Sequence, residues 1–153
     1  GEGRHRALAG PAAAGEGPRI PDVMIDSLHH VALSVTDLER AKRFYGEALG
    51  LAEIERAAFD FPGAWYGLGD QQLHLIVHTS PRSLRGTAQI DSRDGHFAVR
   101  VREYDHTVAR LRAHGVPMRE SPVNVTPWAQ IYVTDPDGNV IELNVERGER
   151  VER

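Results

Sequence analysis

The chain contains no cysteine. That absence excludes disulfides, zinc ribbons and thiolate nucleophiles, and it suits a reducing compartment. Long apolar runs are missing too: no stretch approaches the roughly 18 residues of a membrane span. Aromatic residues make up only 7%, and charge of one sign does not accumulate, the net charge being −4 with acids and bases interspersed. A nucleic-acid footprint needs a clustered basic surface, so no nucleic-acid partner is expected. The N-terminal region has no continuous apolar core of the signal-peptide type, so a cytoplasmic location without a membrane partner is expected.

What is present is an ordinary core-forming content, 41% hydrophobic over 153 residues, and an unusual number of histidines, eight. Residues 1–23 are rich in Gly, Ala and Pro without apolar periodicity. They read as a disordered or vector-derived arm that holds His5, since such a segment buries too little surface to offset its ordering entropy. The chain opens on Gly1, which reads as processing, with Met24 as a candidate natural start. One domain is expected over residues 24–147, then a short tail over 148–153.

Leu28 to Val35 alternates as a strand does. Thr36 and Glu39 are spaced as a capping box. Leu38, Ala41, Phe44 and Tyr45 then follow helical spacing to about Leu49, with Gly50 placed to end the helix. Strand-like runs follow near Leu51 to Ala58, Ala64 to Gly67 and Gln72 to His78. The second half repeats the plan: a strand over Gly95 to Arg102, a helix over Tyr104 to His114 ended by Gly115, and strands near Pro117 to Glu120, Trp128 to Thr134 and Asn139 to Val145. Asp135 to Asn139 reads as a turn. His30-Val31-Ala32 lies over His96-Phe97-Ala98, Gly50 over Gly115, and His74-Leu75 over Glu142-Leu143. Such self-similarity implies an internal duplication. The expected fold is α+β: two tandem βαβββ modules, about 25–80 and 92–146, forming an eight-stranded curved sheet around a cleft with the helices outside.

Residues two apart in a strand share a face. With Val31, Leu33 and Val35 turned to the helix, His30 points to the free face. The same alternation puts His74, His96 and Glu142 on that face, against Leu73 and Leu75, Phe97 and Val99, and Ile141 and Leu143. Three imidazoles and one carboxylate converging in a cleft make a site for one divalent transition metal, with Fe, Mn, Ni, Co and Zn all open. Tyr66, Trp128, Gln130, Tyr132 and Arg100 are candidate substrate contacts. His29 falls on the other face, His78 near a strand end, and His106 and His114 on a helix, where His114 meets the helix dipole. These four read as structural or solvated.

The run Leu28-His29-His30-Val31-Ala32-Leu33-Ser34-Val35-Thr36-Asp37-Leu38-Glu39-Arg40-Ala41, followed by Phe44-Tyr45 and Leu49-Gly50-Leu51, resembles the opening of vicinal oxygen chelate proteins. Tyr132 to Leu143, reading YVTDPDGNVIEL, resembles their closing motif. That superfamily includes glyoxalase I, bleomycin-resistance proteins, fosfomycin-resistance enzymes, methylmalonyl-CoA epimerase and extradiol dioxygenases. The resemblance implies metal ligands at the first and last strands of each module, the positions of His30, His74, His96 and Glu142. It also implies a homodimer and a reaction on a small molecule chelated through neighbouring oxygens. Its glyoxalase branch usually carries two metal-bound carboxylates, whereas His74 leaves Glu142 as the single one here. Its extradiol branch carries two histidines and a carboxylate, matched by His30, His96 and Glu142, together with a tyrosine matched by Tyr132. The histidine that branch places before the tyrosine is absent from Ser121 to Thr126. A fosfomycin-type transferase also wants basic residues, for which Arg100 is the candidate. The reading taken forward is a metal-dependent glyoxalase-like lyase or isomerase, with Glu142 as ligand and base and His74 as ligand or proton carrier. The alternatives are a ring-cleaving dioxygenase and a drug-binding resistance protein without turnover.

Overall fold

The computed structural model describes residues 24–147. The expectations for residues 1–23, including His5, and for the tail over 148–153 lie outside the described residues. Among those described, no helix is long and apolar enough to cross a membrane.

Each half of the chain is a strand, a helix and three strands. The first comprises β1 (His30–Val35), α1 (Leu38–Lys42, continuing as a π-helical turn over Arg43–Ala48), β2 (Glu53–Ile54), β3 (Gly63–Leu68) and β4 (Gln71–Val77). The second comprises β5 (His96–Arg100), α2 (Tyr104–Ala113), β6 (Met118–Ser121), β7 (Trp128–Thr134) and β8 (Val140–Glu146). The α+β class, the two βαβββ modules and the eight strands are as expected. The strands are divided four and four, in the orders β1-β4-β3-β2 and β5-β8-β7-β6. In each sheet the first strand runs parallel to the last, so β1 and β5 are edge strands.

Local chemistry departs from expectation at two places. The α1 N-cap is Asp37, whose carboxylate accepts from Arg40 N at 3.0 Å. Thr36 does not form the expected capping box. Its backbone N–H and hydroxyl donate instead to Asp137, at 3.0 and 2.6 Å. The second strand is two residues long, not eight: only Glu53 and Ile54 pair with β3, and beyond them Arg56 donates to Phe61 O at 2.7 Å. Gly50 (φ 73°) and Gly115 (φ 66°) follow the two helices in the left-handed conformation expected of them.

The helix-side faces of both sheets share one core. Val35, Leu73, Leu75, Ala64 and Tyr66 from the first module join Val108, Leu111, Ile131, Val133, Ile141 and Leu143 from the second, with Ala41, Phe44 and Tyr45 of α1 among them. Each fully buried side chain of this size contributes about 1.5–3 kcal/mol of transfer free energy. The β7–β8 turn bolts the modules together. Buried Asp135 accepts from Tyr45 Oη (2.6 Å), Asn139 Nδ2 (2.8 Å) and the backbone N–H groups of Asp137 and Asn139 (both 2.9 Å). Asn139 Nδ2 also donates to Ser34 O at 3.1 Å. Burial pushes the Asp135 carboxyl up, and its hydrogen bonds oppose that shift.

Tyr45→Phe removes a donor from this buried acid and is expected to destabilise the fold by about 1–3 kcal/mol, measured by urea unfolding. A second expectation concerns all four tyrosines. Desolvation first, then neighbouring acids, hold Tyr66, Tyr104 and Tyr132 up at about 12, and Tyr45 well above the ordinary 10.0. Each folded value exceeds the unfolded one, so the phenols add stability that is complete below pH about 10 and is lost as pH rises towards about 12. Spectrophotometric titration should show almost no tyrosinate in the folded chain at pH 10.0 and about half-ionised tyrosines in the urea-unfolded chain. Equal ionisation in both would contradict the burial of these rings.

Candidate metal centre

Because the helix-side faces meet in one core, the helix-free faces look away from it. Each carries half of the expected donor set. On the first sheet, His30 opens β1, and His74 lies in the middle of β4 opposite Ala32 and Trp65. The His30 and His74 rings stack with centroids 4.1 Å apart. His74 Nε2 lies 2.8 Å from Gln72 Oε1 on the same strand. Its pKa is lowered, first by desolvation and then by the charges of His30, His29 and Arg56, which favours the neutral imidazole a ligand or base requires. His29 Nδ1 lies 2.9 Å from His30 Nδ1, so one of these nitrogens donates and the other accepts.

On the second sheet, Glu142 sits in the middle of β8, opposite Tyr132 of β7 and Ala98 of β5. It is only 6% exposed. Oε1 accepts from Tyr132 Oη at 2.8 Å and from Gln130 Nε2, and Oε2 accepts from Asn144 Nδ2 at 3.1 Å. All three donors are neutral, and among the described residues Glu142 has no ion pair. A buried anion without a cation is costly unless something positive completes it. His96 opens β5, its ring edge-on to Tyr132 at 5.7 Å. Its Nδ1 lies 2.8 Å from Asp94 O. A carbonyl can only accept, so Nδ1 carries a proton and Nε2 is the nitrogen left to serve as a ligand. This is the usual way a metal-binding histidine is oriented. The residue types, the uncompensated carboxylate and the oriented His96 all fit a divalent metal.

The sequence leaves open whether the site is completed within one chain or across two, and within one chain the four donors fall into two separate pairs. His30 pairs with His74, and His96 lies with Glu142 across Tyr132. Among the described residues no three such donors come close enough to hold an ion. A cavity of about 600 Å³ between α2, β5, β8 and the α1–β2 turn is lined by none of them.

The expected contact residues fare differently. Gln130 and Tyr132 are beside Glu142, as hydrogen-bond donors to it. Trp128 is half-buried at the start of β7 with the Arg100 guanidinium 5.9 Å from its ring centroid. Arg100 is exposed and pairs with Glu146 at 3.6 Å. Tyr66 is a correction. It stands opposite Leu73, is 1% exposed and belongs to the shared core, so it faces the helix. Its neighbour Trp65 takes the free face, stacked on His74 at 4.1 Å and nearly parallel. Applying the alternation rule to β3, as to the other strands, would have found Trp65. Asn144 shares the free face with Glu142, and its grip on that carboxylate becomes visible only with side chains in place.

A family model described as Glyoxalase/Bleomycin resistance protein/Dioxygenase superfamily matches residues 27–143. A probable chloroplastic lactoylglutathione lyase of Arabidopsis thaliana is 28% identical over 124 residues, 78% of this chain but only 35% of that protein, so the chain spans about a third of it. The glutathione transferase FosA of Serratia marcescens is 30% identical over 122 residues, covering 80% of this chain and 82% of that one. The fosfomycin resistance protein FosX of Listeria monocytogenes, in a structure with Mn(II) and 1S,2S-dihydroxypropylphosphonic acid, superposes with a TM-score of 0.65 at 24% identity, covering 85% of this chain and all of that one. With the duplicated βαβββ fold and the four donor positions already in view, the chain belongs to the glyoxalase/bleomycin resistance protein/dioxygenase superfamily.

Proposed function

We propose that the protein is a metal-dependent glyoxalase-like lyase or isomerase of the cytoplasm, and that two copies of the chain build each site. The observation that carries the reading is Glu142, a buried carboxylate held by three neutral donors and lacking a cation. The two-chain site is supported by the division of the donors into two pairs. His30 and His96 each open an edge strand whose outer side pairs with no other described strand. A second copy that lays its β5 edge beside β1 brings His96 and Glu142 of one chain to His30 and His74 of the other. That arrangement is a homodimer with two equivalent sites.

A divalent transition metal held by His30, His74, His96 and Glu142 would supply Lewis-acid polarisation of two neighbouring substrate oxygens. The chain's own groups do the rest. Tyr132 and Gln130 anchor one oxygen of Glu142, and Asn144 anchors the other, so the carboxylate is oriented before anything binds. Gln72 holds the His74 ring from the other side of the donor–acceptor relation, its Oε1 accepting from Nε2. Glu142 is the single carboxylate able to take a proton next to a carbonyl, and His74, kept neutral, is the alternative proton carrier. Likeness to FosA and FosX raises fosfomycin-type transfer as a second reading. Arg100, its cationic candidate, is already paired with Glu146.

Elemental analysis of protein purified without chelators is expected to give about one transition metal per chain, lost in His30→Ala and in Glu142→Ala. Co-refolding those two variants in equal amounts should restore about a quarter of the sites, because half of the dimers formed are mixed and each mixed dimer holds one intact site. No restoration would place the whole set within one chain. Absence of metal even after reconstitution would leave a ligand-binding protein without turnover. Gln130→Leu removes one of two donors to Glu142 Oε1 and Asn144→Leu removes the donor to Oε2, and each is expected to weaken metal affinity about 10–100-fold by competitive chelation.

A further inference from the structure

We propose that Phe59, Phe61 and Trp65 form a subsite for an aryl group carried by the chelated small molecule; this rests on the metal-chelation reading above. Phe59 and Phe61 lie in the β2–β3 loop and are 48% and 37% exposed. Large apolar rings held out in water call for an explanation when they are also ordered. These two are ordered: their centroids are 5.0 Å apart and nearly parallel. The Arg56 guanidinium lies 5.0 Å from one ring and 5.1 Å from the other, and Arg56 Nη2 is anchored on Phe61 O at 2.7 Å. The loop is therefore preorganised, and a ligand meeting it has little left to immobilise.

The rings lead to the donors. Phe59 lies 6.1 Å from Trp65, Trp65 lies 4.1 Å from His74, and His74 lies 4.1 Å from His30. A small molecule chelated beside His30 and His74 has this ladder as its neighbouring wall. The chemistry of the wall selects the occupant. Arg56 lies over two ring faces with Nη2 on a carbonyl, and its single positive charge is outnumbered in the same segment by Glu55 and Asp60. A phosphonate or a carboxylate-bearing thiol conjugate would meet repulsion there. A flat neutral ring gains offset or edge contacts with Phe59 and with the outer edge of Trp65.

The test uses two probes that present the same pair of neighbouring oxygens, benzohydroxamate and acetohydroxamate, titrated by calorimetry into metal-loaded wild type and into the Phe59→Ala/Phe61→Ala double variant. Wild type should bind benzohydroxamate about tenfold or more tightly than acetohydroxamate. In the double variant the two affinities should fall to within about threefold of each other while the protein retains its metal. Equal affinities in wild type, or a preference that survives the double substitution, would sink the aryl subsite and leave the metal site standing. Conversion of the double variant to a metal-free monomer, read by sedimentation, would assign the rings to the contact between copies and overturn the proposal. Failure of both probes to bind the loaded wild type would instead remove the chelation reading, and the subsite with it.

Discussion

Everything about the candidate site depends on one packing constraint: the two modules bury their helix-side faces in a common core. Leu73 and Leu75 of β4 and Ile141 and Leu143 of β8 are repeat-related, and all four are in that core, between 0% and 3% exposed. Side chains alternate along a strand, so burying these residues commits His74 and Glu142 to faces that point away from the core. The turn at Asp135 strengthens the constraint by tying the second module to Tyr45 and Ser34 of the first. A single sheet wrapped around a single cleft would bring all four donors together. A common core divides them, and on the two-chain reading the association of two copies makes the set whole.

The second constraint is the charge of Glu142. It keeps three hydrogen bonds while nearly buried and has no ion pair among the described residues. Three neutral donors satisfy the carboxylate oxygens but bring no positive charge to them. The same donors fix the direction in which the carboxylate can bind, and this preorganisation is characteristic of metal centres whose outer hydrogen bonds tune the ligand. Tyr132 shows both sides of the arrangement. Its phenol gives a hydrogen bond to the carboxylate, and burial together with that charge raises its own pKa to about 12, so it stays a donor at neutral pH.

Much of this was legible in the chain. The duplication, the eight strands, the helix ends at Gly50 and Gly115 and the parity that puts His30, His74, His96 and Glu142 on the free faces follow from period-two and helical patterns, which are local. The missing parts depend on distant partners. Thr36 looked like a cap because Glu39 follows it at capping spacing, but Asp137, about a hundred residues away, claims it. Leu51 to Ala58 has strand-like composition, but only Glu53 and Ile54 pair with β3, and beyond them Arg56 bonds Phe61 O across the loop. Tyr66 looked like a pocket residue because a tyrosine can serve either face. Its register opposite Leu73 decides the matter, and that register is a property of the pairing, not of the residue.

The two modules share a plan but differ at the donor positions. The repeat-related positions hold His30 and His74 in one module and His96 and Glu142 in the other, so one half offers two imidazoles and the other an imidazole and a carboxylate. On the proposed reading, three imidazoles and one carboxylate would leave a divalent ion with a net charge of about +1, whereas a set with two carboxylates would leave it about neutral. A site that retains positive charge favours a substrate that becomes negative as it reacts, which is the electrostatic condition for proton removal next to a carbonyl. The neighbouring wall then matters for the opposite reason. Trp65, Phe59 and Phe61 offer ring faces, and the Arg56 charge beside them is outnumbered within the segment by Glu55 and Asp60, so on the proposed reading attraction for negative charge rests with the donors. On that reading, the reactive oxygens and the apolar remainder of a substrate would be sorted to different places, the first by charge and the second by contact.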